Sequence, residues 1–158
     1  MKTFLTITIS LIIFSCTNPK QKEIVTISGK EKEIAKNLIQ GAFDNLWGGL
    51  DSTKIQDYHT DDFYILEQGE VWDNDRIKGY MRDQLAKEKQ TRRVNEMDYL
   101  TIEKFGQSIN IAYNNKAYFY DGDSLVGQAQ WLESALAIPT ENGWKLRCMH
   151  STYVPDKK

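Results

Sequence analysis

The last predicted strand of this chain carries the histidine best suited to acid–base chemistry. Strict alternation along residues 144–153 puts five side chains on one strand face: Trp144, Leu146, Cys148, His150 and Thr152. This face has the apolar bulk of the strand, so we expect it to point into the protein and to place His150 there. A histidine in that position has two interpretations. It is a general acid or base, because small environmental changes move its pKa across neutral pH, or it is a core residue satisfied by one hydrogen bond.

The preceding strand, residues 124–138, holds the carboxylate that could act with His150. Glu133 shares a face with Trp131, and which face points inward depends on the register of the hairpin, since a slip of one residue reverses it. If the face is inward, Glu133 and His150 form a carboxylate–imidazole pair. If it is outward, Trp131 belongs to a dimer interface, where aromatic anchors concentrate. The inward orientation is favoured because Glu133 would be harder to satisfy on a flat interface.

A third candidate is Asp62, which lies in the polar stretch His59-Thr60-Asp61-Asp62 that we interpret as a turn. Asp62 could stand as a base beside the predicted sheet, or it could cap a turn or a helix end. The only two histidines are His59 and His150, and the sequence has no zinc spacing, calcium loop or glycine-rich phosphate loop. We therefore predict no metal and no cofactor.

Composition limits the classes of partner. The 158 residues carry a net charge of −2, from 20 basic and 22 acidic side chains, so no overall field favours nucleic acid. The chain also has 8 Tyr, 6 Phe and 4 Trp, and such rings either fill a core or line an apolar pocket for a small ligand. The aromatic residues that we expect to line a ligand pocket are Trp47, Tyr64, Trp72, Tyr118 and Trp131.

The N-terminus predicts export and lipidation. Residues 1–15 have one positive charge and then an apolar run that is shorter than the ~20 residues of a spanning helix, which is typical of a secretory signal. Ile13-Phe14-Ser15-Cys16 resembles a bacterial lipobox, so we expect lipid on Cys16, with residues 16–27 as a tether. The alternative is an ordinary signal peptide with an incidental cysteine. Asn18 in place of Asp favours the outer membrane of the bacterial cell envelope, facing the periplasm.

Residues 28–155 predict one α+β domain. Ser28-Gly29-Lys30-Glu31 has the spacing of a capping box, and apolar residues then recur every three or four positions. Two further helices and a short strand pair follow, and the basic run Lys87 to Arg93 is interpreted as a solvated helix end. From Val94 the apolar period changes to two, with hairpin signals at Asp121-Gly122 and Asn142-Gly143. The expected fold is three N-terminal helices packed into a strongly curved, antiparallel four-strand meander with a short extra strand pair.

This order resembles the SnoaL-like and nuclear transport factor 2-like superfamily. The resemblance covers roughly residues 28–154 and depends on short pieces in the family's order: Asp61-Asp62-Phe63, Gly69, Ile77, Gly143-Trp144-Lys145 and His150-Ser151. It implies a cone-shaped fold with a pocket at the wide end and homodimers through the outer sheet face. The same scaffold hosts enzymes and proteins that only bind. The mechanism of ketosteroid isomerase, which combines an Asp base with Tyr and protonated-acid donors, lacks a matching inward acid on Ile109 to Tyr120.

Three hypotheses follow. The first is a lipid-anchored envelope protein whose pocket binds a small apolar or amphipathic ligand, or a protein partner, without turnover. The second is an enzyme that transfers protons with His150 as base or acid and with Glu133 or Asp62 as the orienting group. The third is a dimeric scaffold with no ligand, whose cone is filled by Trp47, Tyr118 and Trp131.

Overall fold

The structure, a computed structural model, describes residues 26–155 of the chain. The predicted signal peptide, the lipidation residue Cys16 and most of the tether lie outside the described residues. The helical elements are α1 (Gly29–Ala42), which continues as a π-helical turn (Phe43–Gly48), a 3-10 turn (Ser52–Lys54) leading into α2 (Ile55–Tyr58), and α3 (Asn74–Leu85).

The first helix begins where its capping box predicts. The Ser28 side chain accepts a hydrogen bond from the backbone N–H of Glu31 at 3.2 Å, and the Glu31 carboxylate accepts one from the Ser28 backbone at 3.0 Å. This reciprocal pair satisfies two of the amide groups that a helix leaves unpaired at its start. The apolar stripe of α1 is buried against the sheet, and the π-helical turn after it buries Phe43 and Trp47.

Within residues 26–155, six strands form one sheet in the order β2-β1-β6-β5-β4-β3. Their bounds are β1 (His59–Glu67), β2 (Glu70–Asp73), β3 (Arg92–Phe105), β4 (Ser108–Asp121), β5 (Ser124–Thr140) and β6 (Gly143–Tyr153). Strands β3 to β6 are an antiparallel meander, and β1 joins it by parallel pairing with β6. At the last hairpin Gly143 has a φ of 99°, a conformation that glycine adopts without a steric penalty.

A bulge in β6 decides which of its side chains face the helices. Leu146 pairs with Ala137 and Cys148 pairs with Leu136, so Arg147 is an extra residue with no partner on β5. A bulge of one residue reverses the alternation of the strand beyond it. Leu146 is therefore buried before the bulge, and Met149 and Ser151 are buried after it.

The helices and the concave face of the sheet enclose one hydrophobic core. Its fully buried members include Ile39 and Leu46 from the helical layer and Ile109, Ile111 and Leu146 from the sheet. Within residues 26–155, no helix has the length and apolar character needed to cross a membrane.

The predicted fold class is confirmed: helices pack on a curved, unclosed sheet in an α+β arrangement. One local prediction is wrong. Residues 59–62 do not form a turn but begin β1, with a register irregularity between His59 and Tyr64. The hydrogen bonds of Asn74 to the carbonyls of Thr60 and Asp61 hold this irregular start in place.

Candidate functional site

A cavity of about 130 Å³ lies between the π-helical turn, α3 and the inner face of the sheet. Most of its wall is aromatic or aliphatic, and the polar groups come from the strands. The lining residues are Phe43, Trp47, Ile65, Glu67, Trp72, Tyr80, Arg93, Trp131, Glu133 and Ser151. A concave apolar pocket with a few converging polar groups is the usual form of a small-molecule site.

A line of polar side chains crosses the inner face of the four-strand meander and ends in this cavity. Arg93 Nε donates to Asn95 Oδ1 at 2.9 Å, and Asn95 Nδ2 donates to Asn115 Oδ1 at 2.6 Å. Asn115 Nδ2 then donates to Glu133 Oε2 at 3.0 Å, and Ser151 Oγ donates to Glu133 Oε1 at 2.9 Å. Each of β3, β4, β5 and β6 thus contributes to one hydrogen-bonded network that joins a guanidinium to a carboxylate.

Glu133 is the most perturbed carboxylate of the cavity. Its side chain is almost fully buried, with 8% of its surface exposed. Burial raises the pKa of Glu133 from 4.5 to about 7, although the hydrogen bonds from Ser151 and Asn115 and the charge of Arg93 act in the opposite direction. A carboxyl group with a pKa near neutrality can take up or release a proton under ordinary conditions.

Glu67 is a second carboxylate near the same serine. It is half-buried on β1 and pairs in register with Ser151 of β6. Burial raises the pKa of Glu67, opposed by the nearby Ser151 hydroxyl, the Gln68 side chain and the Arg93 charge. The cavity therefore has an acidic end, where two carboxyl groups lie on either side of one hydroxyl.

Arg93 lies among aromatic rings. Its guanidinium carbon is 5.2 Å from the ring centroid of Trp131, 5.8 Å from that of Phe43 and 5.9 Å from that of Phe119. Among the described residues it forms no ion pair within 4.0 Å. Burial lowers the pKa of Arg93, but an arginine stays charged. The backbone of Arg93 packs closely against Gly48, where an added Cβ would lie 3.1 Å from the Arg93 carbonyl oxygen.

Two buried donors near the cavity have no hydrogen-bond partner within the described part of the chain: Trp47 Nε1 and the Tyr113 hydroxyl. The Tyr113 hydroxyl is close enough to Glu133 to lower the pKa of that carboxyl, but it does not reach hydrogen-bonding geometry. Buried polar groups are seldom left unpaired, because each costs roughly 1–3 kcal/mol. Both atoms are shielded from solvent, and Tyr113 is not among the residues that line the cavity.

The structure brings some of the sequence-predicted residues together and separates others. Trp47, Trp72 and Trp131 line the cavity, and Glu133 faces it, so the inward orientation of residues 124–138 is the one observed. The third hypothesis, a cone filled by aromatic side chains, does not describe this arrangement, because Trp47 and Trp131 leave space between them and Tyr118 lies elsewhere.

Four predicted placements are wrong. His150 is exposed, because the extra residue Arg147 turns it to the outer face and turns Ser151 inward. Tyr64 and Tyr118 also lie on the outer face of the sheet, since their inward neighbours Phe63 and Ala117 are the buried ones.

Asp62 is exposed as well, and its carboxylate pairs with Arg147 at 2.9 Å on the outside of the sheet. It is therefore remote from the cavity and cannot orient a group there.

Three polar residues of the cavity wall were missed from sequence: Glu67, Arg93 and Ser151. Arg93 ends a basic run that was interpreted as solvated, and only its alternation with Asn95, two residues on, could have indicated an inward polar pair. Ser151 was assigned to the outer face because a bulge has no reliable signature in a single sequence. Glu67 follows an apolar strand and precedes a turn, which gave no reason to place it inside.

His59 is the buried histidine of the described residues, and it belongs to the core. Its ring stacks on Phe63 with centroids 3.7 Å apart. Asn74 Nδ2 donates to the Thr60 carbonyl, so Asn74 Oδ1 accepts from His59 Nδ1 at 3.0 Å and Nε2 is left without a proton or a partner among those residues. Burial lowers the pKa of His59 from 6.5 to about 4, with the Asn74 hydrogen bond opposing it.

Across residues 26–155, no group of three or more His, Cys, Asp or Glu side chains is arranged to hold a metal ion. The cavity can hold a small molecule between aromatic rings, donate hydrogen bonds to its oxygen atoms, attract a negative charge through Arg93, and exchange a proton through Glu133.

No protein-family model and no curated protein sequence matches this chain significantly, but solved structures do. A putative calcium/calmodulin-dependent protein kinase II association domain from Xanthomonas campestris is 18% identical and has a TM-score of 0.64, covering 82% of this chain and 91% of its own. An NTF2-like protein from Cytophaga hutchinsonii is 11% identical with a TM-score of 0.59, covering 81% of this chain and all 100% of its own.

A ketosteroid isomerase-like protein from Erwinia carotovora atroseptica is 10% identical with a TM-score of 0.60, covering 82% of this chain and 100% of its own. These likenesses define the class: this chain has the nuclear transport factor 2-like cone fold. The structural resemblance predicted from the sequence is thereby confirmed. At such low identity the likeness describes the fold alone, and the function has to be argued from the cavity.

Two buried groups with shifted pKa values, Glu133 and His59, give opposite pH dependences of stability. The native state keeps the Glu133 proton up to about pH 7 while the unfolded chain releases it near 4.5, so Glu133 contributes stability that is lost as pH rises through this window. Native His59 stays neutral down to about pH 4 while the unfolded chain protonates it below 6.5, so its contribution is lost as pH falls.

Replacing Glu133 with Gln should therefore remove the Glu133 contribution and leave the His59 contribution in place. Relative to wild type, we expect the variant to lose about 3 kcal/mol more unfolding free energy at low pH than above neutral pH. Urea unfolding across pH 4 to 8 measures the difference, with the exposed Glu103→Gln as the matched control. A difference between Glu133→Gln and wild type that does not change with pH would mean that Glu133 does not titrate as described.

Proposed function

We propose that this chain is a ligand-binding protein whose cone cavity holds one small amphipathic molecule without turnover. The observation that carries the proposal is the Arg93 guanidinium, a donor group in the cavity wall whose two terminal nitrogen atoms form no hydrogen bond or ion pair within the described residues. A protein that kept this cavity only as a packing defect would leave this donor unsatisfied at a cost. An acceptor atom on a bound molecule removes that cost.

The size and lining of the cavity favour a ring-sized ligand. A volume of about 130 Å³ is close to that of apolar cavities that take one benzene-sized molecule. The Tyr80 ring packs against two tryptophan rings at tilted angles. Its centroid is 5.8 Å from that of Trp47 and 5.5 Å from that of Trp72. Flat apolar groups pack well against such walls, and Arg93 and Glu133 supply the polar contacts that fix orientation.

A second candidate is proton-transfer catalysis in the same cavity, and one observation favours it: the pKa of Glu133, raised to about 7 by burial. On this scaffold the acid or base would be Glu133, because His150 is on the outer face. The Arg93 guanidinium in the cavity wall could then stabilise an oxygen atom that gains negative charge. Binding remains the first proposal because it needs only the groups that are unpaired, whereas catalysis also needs a substrate carbon beside Glu133.

The cellular location of the protein is also a proposal. The signal sequence of residues 1–15 and the lipobox ending at Cys16 support a lipid anchor, with the cone domain facing the periplasm from the outer membrane.

We further propose a homodimer through the outer face of the sheet. Leu66 and Leu132 are 42% and 48% exposed there, close to His150 on the intervening strand β6. The Xanthomonas structure with this fold is described as an association domain, which is consistent with assembly through a shared surface.

Ligand binding is tested by a thermal-shift screen of the purified protein against aromatic acids, fatty acids, steroids and polyketides. A ligand well above its dissociation constant should raise the stability by a few kcal/mol. We expect Trp131→Leu to abolish any shift, because it removes a ring from the cavity wall. His150→Ala should retain the shift, because His150 is outside the cavity.

Loss of the shift in His150→Ala, with Trp131→Leu unaffected, would contradict cavity binding. Conversion of a bound ligand to product, abolished in Glu133→Gln while binding persists, would favour the second candidate.

Lipid anchoring is tested by Cys16→Ser, which should move the protein from the membrane fraction to the soluble fraction. Cys148→Ser is the matched control, because it removes the other cysteine of the chain and leaves the lipobox intact. Retention of the Cys16→Ser protein in membranes would rule out the anchor.

Dimerisation is tested by Leu132→Glu, which puts a charge into the apolar outer face and should convert a dimer into a monomer in sedimentation velocity. Leu85→Glu is the control, since Leu85 is similarly exposed, at 51%, but lies at the end of α3. A sedimentation coefficient that is unchanged in Leu132→Glu would contradict an interface on this face.

A further inference from the structure

We propose that the ligand is an elongated organic carboxylate that lies across Arg93, with its carboxylate toward a basic vestibule and a hydrogen-bond donor at its other end against Glu133. This inference rests on the proposed binding function and names the chemical class that the cavity selects.

The vestibule is a second cavity of about 250 Å³ that adjoins the first. Four residues line both: Trp47, Tyr80, Arg93 and Trp131. The two spaces are therefore separated only by these side chains. The remaining wall of the vestibule comes from the end of α3 and the segment before β3, including Lys87 and Lys89, together with Gly48, Leu50 and Phe119.

The two spaces have opposite charges. The lining of the vestibule contains Lys87, Lys89 and Arg93 and no carboxylate, whereas the lining of the inner cavity contains Glu67 and Glu133. Lys89 is paired with Asp121 at 2.6 Å, which leaves Lys87 and Arg93 as the cations of the vestibule without an ion-pair partner among residues 26–155. A single-sign opening with apolar walls attracts ligands of the opposite sign.

Arg93 has the geometry to bind a carboxylate at the boundary. Its Nε is engaged by Asn95, and rings of Trp131 and Phe43 pack close to the guanidinium. Its two terminal nitrogen atoms have no hydrogen bond or ion pair within the described residues. A guanidinium with two free parallel donors matches a planar carboxylate in two hydrogen bonds.

The inner end selects a donor. Asn115 and Ser151 each occupy one oxygen of Glu133 with one hydrogen bond, and a carboxylate oxygen can accept a second. A ligand hydroxyl that reaches Glu133 or Glu67 would donate a hydrogen bond to a carboxylate oxygen of that residue. A ring between this hydroxyl and the carboxylate would then lie between the aromatic side chains that both cavities share.

The test uses four related probes on the purified protein, with dissociation constants from tryptophan fluorescence. 4-Hydroxyphenylacetate carries both the carboxylate and the hydroxyl, and phenylacetate lacks the hydroxyl. 4-Hydroxyphenylacetamide replaces the negative carboxylate by a neutral amide, and tyramine carries a positive amine in its place. We expect the hydroxy acid to bind best. The amide should bind about tenfold or more weakly, since charge-assisted pairs are the strong ones, and tyramine weaker still. Added salt should reduce the advantage of the acid over the amide.

Variants assign the preference to residues. Arg93→Met should remove most of the preference for the acid over the amide, and Lys87→Gln should weaken the acid several-fold without changing the amide. Arg93→Lys keeps the positive charge but loses the two parallel N–H donors, so it should retain part of the preference for the acid over the amide. Lys30→Gln, an exposed lysine in α1, is the matched control and should change nothing.

Equal affinity of wild type for the acid and the amide would overturn the carboxylate proposal. It would leave the proposed function standing if both probes still lose binding in Trp131→Leu. Binding of none of the four probes would also overturn the carboxylate proposal, while the broader screen above decides separately whether the cavity takes any ligand.

Discussion

The rest of the site depends on the burial of one carboxyl group, that of Glu133. Removing a carboxylate from water is unfavourable unless donors surround it, and here the neighbouring strands supply them. The direction of every bond in the line is fixed, because Arg93 can only donate. Asn95 must then accept on its oxygen and donate with its nitrogen, and Asn115 must do the same. A one-residue slip of any strand would turn its polar group to the outer face. The network therefore selects the observed register as well as holding the carboxyl group.

The overall fold could be predicted because its signals are local and redundant. A capping box, two helical stripes and a change to a period of two each specify their element without reference to distant residues. The orientation of Trp131 and Glu133 could also be predicted, since β5 alternates without interruption between Gly127 and Ala137. The inward orientation was favoured because the Glu133 carboxyl group would be harder to provide with hydrogen-bond partners on a flat interface.

The identity of the polar residue that β6 brings to the site could not be predicted in the same way. Arg147 shifts the alternation of β6, so Ser151 and not His150 reaches the cavity. Arg147 sits at the bulge with its guanidinium paired to Asp62 and bonded to the Asp62 carbonyl across the neighbouring strand. Those contacts depend on tertiary structure, and nothing in the order of residues along β6 indicates them. Arg93 was missed for a related reason: a basic run is usually solvated, and only packing against distant aromatic rings shows that its last member is enclosed.

The inner face of β4 explains how one small domain supports both a core and a polar cavity. Along this face Ile109 and Ile111 come first, then Tyr113, and then Asn115. The apolar members pack with the helices into the hydrophobic core, which supplies the driving force for folding. Asn115, farther along the strand, takes part in the network, where its neighbours and not water hold its side chain. One end of β4 thus belongs to the hydrophobic core, and a later part of the strand contributes to the polar network. The core and the network therefore adjoin along this strand. The cavity wall is therefore held by a rigid sheet and a packed helix, and a ligand that enters it meets groups already in position.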